Sequence, residues 1–178
     1  MNLNKYQTII FDCDGVLLNS NFQKIEAYRN AALTYGASKV QAEDLVTHHV
    51  KLTGISRHVK FKYFLKEIMG EDVKDSSMKK LVNSLNKEVI KLLKDCEIAG
   101  GIEKLKAQTQ KLTWMVASGG DQEELRFLFK EKKITSYFDG GIYGSPSSKH
   151  QIIEKKLKDK NFLPALFLGD SLYDIQTA

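Results

Sequence analysis

Tyr6-Gln7-Thr8-Ile9-Ile10-Phe11-Asp12-Cys13-Asp14-Gly15 is an apolar run that ends in two carboxylates two residues apart. Alternation along a strand sends Asp12 and Asp14 to one side and Cys13 to the other. Acids at the carboxyl end of a strand are poorly placed for packing. They are well placed for chemistry, because open α/β sheets bind ligands at that edge. Alone, the tetrapeptide fits a strand entering an Asp-Gly turn as well as it fits a catalytic pair.

Outward from this stretch, short strand-like runs alternate with longer helical ones, the pattern of an α/β protein with a mainly parallel sheet. Strands are expected at Tyr6 to Asp12, Leu112 to Ser118, Phe138 to Tyr143 and Ala165 to Gly169. Between the first two lies a long stretch without a strand. There Phe22, Ile25, Ala32 and Leu33 recur at helical spacing before Gly36, and further helical runs cover Arg57 to Met69 and Met78 to Leu93. The expected organisation is an α/β core over 1–19 and 98–178 with an inserted helical subdomain over 20–97. Its joins are the loop from Val16 to Asn21 and the turn at Gly100-Gly101, which suits either a hinge or an ordinary turn before the helix Ile102 to Gln108.

The chain of 178 residues is long enough to bury a real core. Its net charge of +5 comes from lysines interleaved with acids and apolar residues, with only Arg29, Arg57 and Arg126 beside them. That distribution suits small anionic substrates and argues against a nucleic-acid groove. Cys13 and Cys96 lack metal-ligand or scaffold spacing, and no apolar run reaches membrane-spanning length. The expectation is a soluble, cytoplasmic protein without a membrane partner.

Three further groups fall where strands end. Ser118-Gly119-Gly120 follows an apolar strand, and there a hydroxyl and backbone N–H groups can meet a phosphate; Asp121 and Glu124 form a capping-box pattern behind it. Lys149 sits in the loop Gly144-Ser145-Pro146-Ser147-Ser148-Lys149 before the helical run Ile152 to Leu157. Gly169-Asp170-Ser171-Leu172-Tyr173-Asp174 adds acids four residues apart at a helix start, which serve either as caps or as hard oxygen ligands for Mg²⁺.

Asp12-Cys13-Asp14-Gly15, Ser118, Lys149 and Gly169-Asp170 with Asp174, in that order, resemble the four motifs of the haloacid dehalogenase superfamily. The helical insertion resembles its α-helical cap type, and among well-known members phosphoglycolate-phosphatase-like and β-phosphoglucomutase-like proteins are nearest. The resemblance implies a three-layer Rossmann-like core and a Mg²⁺-dependent phosphatase acting on a small phosphorylated metabolite. By that likeness Asp12 is the nucleophile and Asp14 the general acid and base. Ser118, Gly119 and Lys149 hold the phosphate, and Asp12, Asp14 through its carbonyl, Asp170 and Asp174 surround the metal. Asp14 speaks against carbon–halogen chemistry, whose enzymes lack the second acid.

Leu52-Thr53-Gly54-Ile55-Ser56-Arg57 resembles the mutase's cap segment and makes Arg57 the substrate-selectivity candidate. A turn at Gly54, an N-cap at Ser56 and a first-turn surface arginine explain the same residues. Departures are Asn19 where many relatives carry an acid, Lys24 where the mutase carries histidine, and His150 where proline often follows the loop lysine. His48 and His49 are expected to face solvent or pack partly. Sugar phosphomutase chemistry and a non-catalytic ligand- or protein-binding role are the alternatives. Relatives usually continue with further core elements after the last acidic motif, whereas this sequence stops at Ala178. The expectation is therefore a fragment, or a sheet edge at the Asp170 strand that something else covers.

Overall fold

The computed structural model describes residues 3–178. Four strands, β1 (Thr8–Phe11), β2 (Thr113–Asp121), β3 (Gly141–Ser145) and β4 (Ala165–Leu168), form one sheet in the order β3-β2-β1-β4. Every ladder is parallel. Phe11 lies opposite Val116 on one side and Leu168 on the other, so Asp12, Ser118 and Asp170, each one or two residues further along its chain segment, lie along the same edge of the central ladder.

Both faces of the sheet are covered, as parallel sheets require. Ile9, Phe11, Trp114 and Val116 pack with Leu125, Leu128 and Phe129 of α6 (Gln122–Glu131). Ile10, Met115 and Ala117 pack on the opposite face with Ile152 of α7 (Lys149–Lys156) and with Phe162. The three-layer α/β architecture expected from the sequence is present. β4 is an edge strand of half-buried residues.

Between β1 and β2 the chain runs through α1 (Asn21–Tyr35), α2 (Lys39–Lys51), α3 (Arg57–Tyr63), α4 (Asp75–Leu93) and the short α5 (Ile102–Gln108). The outgoing and returning segments lie side by side: Leu18 and Ile98 form an antiparallel bridge, and Asn19 N–H donates to Glu97 O at 2.9 Å. Helix α1 packs against both α2 and α4. Its buried face is Lys24, Ala27, Tyr28, Ala31 and Ala32. The face expected from Phe22 and Leu33 is corrected here, since Phe22 is 70% and Leu33 40% exposed. Small alanines let two helices approach the same stripe, so they outcompete the bulkier residues for the interior.

Other boundaries also shift. The run from Arg57 to Met69 is not one α-helix but α3 followed by a π-helical turn at Phe64–Ile68, in which Met69 N–H bonds Phe64 O. The third strand begins at Gly141, because Phe138 is drawn into the aromatic cluster of Phe11, Trp114 and Phe129. Lys149 opens α7 and does not sit in the preceding loop, since Ser148 and Gln151 cap each other there. No helix among the described residues is long and apolar enough to cross a membrane.

Strand β2 is fixed by Trp114, fully buried, 4.6 Å from the Phe11 ring and donating from Nε1 to Thr109 Oγ1 at 3.0 Å. Thr109→Val leaves that indole N–H without its partner. The expected cost is about 1–2 kcal/mol, read as a lower denaturation midpoint with an unchanged slope.

Candidate active site

Asp12 follows β1 directly, and its backbone N–H still bonds Leu168 O at 2.9 Å, so its position is set by the sheet. The side chain is buried. The fully buried ammonium of Lys149 lies 2.9 Å from Asp12 Oδ1 and 2.5 Å from Asp174 Oδ1. Burial pushes the Asp12 carboxyl up to about 7, with Lys149 pulling the other way. Burial also opposes the Lys149 charge, but Asp12 and Asp174 outweigh it and hold the amine above its ordinary range.

Asp174 is oriented from its own helix, α8 (Leu172–Thr177). Its Oδ2 accepts from Ser171 N–H at 3.1 Å and from Ser171 Oγ–H at 2.5 Å. Asp170 is exposed and accepts from Asn21 Nδ2 at 3.3 Å. Asp12, Asp170 and Asp174 each offer an oxygen within 4.8 Å of the others'. Gly15 makes room for this cluster, since its φ is +79° and a Cβ there would lie 2.0 Å from Asp170 Oδ2.

Asp14 lies beyond the strand end in the turn that follows, where it bridges to Leu18. Ser20 Oγ–H donates to its Oδ1 at 2.6 Å, and Lys24 Nζ stands 3.6 Å from Oδ2. Ser118 is buried and, contrary to the strand end expected there, lies within β2, which runs on to Asp121 through an irregularity in its pairing with β3 after Ala117. Its Oγ accepts from Gly120 N–H at 3.0 Å, which leaves the hydroxyl hydrogen to donate. A Cβ at Gly119 would lie 2.2 Å from Gly54 O, so the segment around Gly54 closes directly over this turn. Asp12, Asp14, Ser118, Gly119 and Arg57 line one cavity of about 180 Å³. Lys149, Asp170 and Asp174 stand around Asp12, so the eight candidate site residues lie in or beside this cavity. His150 is exposed.

Lys24 and Lys60 also line this cavity, and Glu124, just behind it, plays a part not assigned from the sequence. Glu124 does not complete a capping box; Asp121 accepts from Glu124 N–H, but the Glu124 side chain turns inward. It takes a bidentate pair of bonds from Arg57 at 2.9 and 3.0 Å and a third from Lys24 at 3.0 Å. Burial works against its charge, yet Lys24 and Arg57 hold its carboxyl below the usual range. Arg57 is 2% exposed and also bonds Asn86, which corrects the surface alternative, while Ser56 does cap the helix through His58 N–H. Lys60 is buried at the cavity wall beside His49, whose ring stacks on Tyr28 at 4.0 Å. The available signal was phase: Lys24 shares the stripe of Ala27, Tyr28 and Ala31, and Lys60 that of Arg57, Phe61 and Phe64.

Glu124→Gln strands two buried cations and is expected to cost roughly 3 kcal/mol at pH 7. Because the folded-state pKa lies below the unfolded value of about 4.3, this contribution is present above that pH and is lost as pH falls toward the folded value. Denaturant titrations of the two proteins at pH 7 and pH 3.5 should show the gap narrowing in acid.

Comparison with known proteins matches residues 9–178 to the family of haloacid dehalogenase-like hydrolases. A phosphorylated carbohydrates phosphatase of Thermotoga maritima is 30% identical over 142 residues, covering 78% of this chain and 61% of the relative. The chain thus spans less than two thirds of that relative's length. In fold it is similar to a predicted phosphoglycolate phosphatase from Haemophilus somnus 129PT, with a TM-score of 0.75 at 15% identity, over 99% of this chain and 82% of the other. It is also similar to a predicted phosphatase from Clostridium acetobutylicum, with a TM-score of 0.74 at 18% identity, over 97% and 80%. With the motif residues gathered at one sheet edge and nearly the whole chain matched, the protein belongs to the haloacid dehalogenase-like hydrolase family.

Proposed function

We propose that this protein is a Mg²⁺-dependent phosphatase that hydrolyses a small phosphorylated metabolite in the cytoplasm, with residues 20–97 serving as a cap over the site. The observation that carries the reading is the cavity itself. A buried carboxylate, Asp12, sits against a buried ammonium, Lys149, with a second, separately held acid, Asp14, lining the same cavity as Ser118.

In this mechanism an oxygen of Asp12 attacks the phosphorus of a phosphate monoester, and the bond from phosphorus to the leaving oxygen breaks. Asp14 gives a proton to that leaving oxygen, then takes one from the water that attacks the aspartyl-phosphate. Phosphate leaves and the Asp12 carboxylate is restored. Lys149, Ser118 and the backbone N–H of Gly119 hold the phosphoryl oxygens, the positioning and charge neutralisation that phosphoryl transfer chiefly needs.

The residues fit Mg²⁺, because three carboxylates with oxygens within 4.8 Å of one another form a hard, acidic donor set that one lysine does not neutralise. Asp12, Asp170, the carbonyl of Asp14 and Asp174 would hold it. When bound, the ion offsets the negative charge of phosphate and carboxylate as they approach. The limited cavity and its closure by the Gly54 segment support a small substrate and exclusion of water.

The purified protein should release phosphate from p-nitrophenyl phosphate with Mg²⁺, stop when the metal is chelated, and lose activity by at least about a thousandfold in Asp12→Asn. Absence of turnover in the wild-type protein would overturn the reading. A sugar 1-phosphate converted to its 6-phosphate faster than phosphate is released would instead identify a mutase.

A further inference from the structure

Cations around the cavity divide into those already neutralised and one that is not. Lys149 is bonded to Asp12 and Asp174, and Glu124 engages Lys24 together with both terminal nitrogens of Arg57. Lys60 has no carboxylate within 4.0 Å among the described residues. It is 2% exposed, and its bonding partner is His49 Nδ1 at 2.9 Å, a single acceptor for three ammonium donors. A second unpaired donor lies on the same short helix: Nε of the buried Arg57 has no hydrogen-bond partner. A cavity wall with two buried, unpaired N–H donors penalises any substrate that brings no acceptor to them.

Resting on the phosphatase reading, we propose that Lys60, held by His49 and supplemented by the Nε–H of Arg57, is the specificity-determining residue, and that it selects phosphate monoesters carrying a second anionic group. That group is a carboxylate or a second phosphate on a short carbon chain. Arg57 is thereby mainly the tie between α3 and α6, because Glu124 occupies the fork that would otherwise grip a ligand. Tyr28, His49, Ile25 and Leu85 contribute to the same wall.

The groups facing Lys60 sharpen the test. His49 and Tyr28 touch it, and burial together with the charges of Lys24, Arg57 and Lys149 holds its amine down to about 7 against the longer-range pull of Asp14. His49 cannot share the charge, because burial and the adjacent Lys60 and Lys24 depress its ring to about 2. An anion docked at Lys60 favours the protonated amine, so binding at pH 8 takes up a proton.

Non-cleavable phosphonates test this directly: 3-phosphonopropionate, propane-1,3-bisphosphonate and propylphosphonate, titrated calorimetrically with Mg²⁺ present. The expected result is binding of the first two roughly tenfold to a hundredfold more tightly than the third, with proton uptake visible between buffers of different ionisation enthalpy. Comparing the first two probes separates a carboxylate from a phosphate as the favoured group. Lys60→Met should abolish the preference, bringing the affinities of 3-phosphonopropionate and propane-1,3-bisphosphonate down to that of propylphosphonate for the same variant. Equal affinities for all three in the wild-type protein, or a preference that survives in Lys60→Met, would overturn the assignment. Neither result depends on turnover, so loss of the phosphatase reading would show separately as absent phosphate release.

Discussion

The arrangement depends on one buried ammonium. Asp12, Asp170 and Asp174 each bring an oxygen within 4.8 Å of the others', and the two that are buried, Asp12 and Asp174, repel one another strongly where water is scarce. Lys149, bonded to Asp12 and Asp174, makes their proximity tolerable. It joins the end of β1 to the starts of α7 and α8, so the fold and the site share a constraint. A neutral residue at 149 would leave Asp12 and Asp174 uncompensated in the interior, and the carboxyl of Asp12 would be driven further toward its protonated form.

A second charge network works differently. Glu124 draws Lys24 from α1 and Arg57 from α3 onto α6, and so fastens the helices inserted after β1 to the core on which the acids stand. Buried ion pairs of this kind contribute little net stability compared with apolar packing, yet breaking one partner is costly. They specify a docking position. Lys24 also lies beside Asp14, so the network that docks the helices ends on an acid of the proposed reaction.

Much of this was legible in the sequence, for a definite reason. Strand alternation and turn chemistry locate residues that end strands, and parallel strands bring those ends to one edge; Asp12 and Asp170 could be found that way without knowing a contact, whereas Ser118 was found although β2 runs on past it to Asp121. Helical periodicity was weaker evidence. Phe22 and Leu33 are apolar and in phase, yet α1 buries its alanines because two neighbouring helices need close approach. Lys24, Lys60 and Glu124 stayed hidden because a charged residue in phase with a buried stripe looks like an interruption until its partner, from another helix, is placed beside it. Lys149, Asp12 and Asp174 were each located by a motif, but the bonds from Lys149 to the two acids were not foreseen, since both depend on the tertiary arrangement of β1, α7 and α8.

The central claim is that Asp12 becomes covalently phosphorylated. Mass spectrometry of the protein quenched in acid during turnover of a phosphate monoester tests it most directly. One phosphoryl group on the peptide containing Asp12, absent after prolonged incubation without substrate, is the expected result. Turnover with no phosphoryl group on Asp12, or with one on another residue, would contradict it.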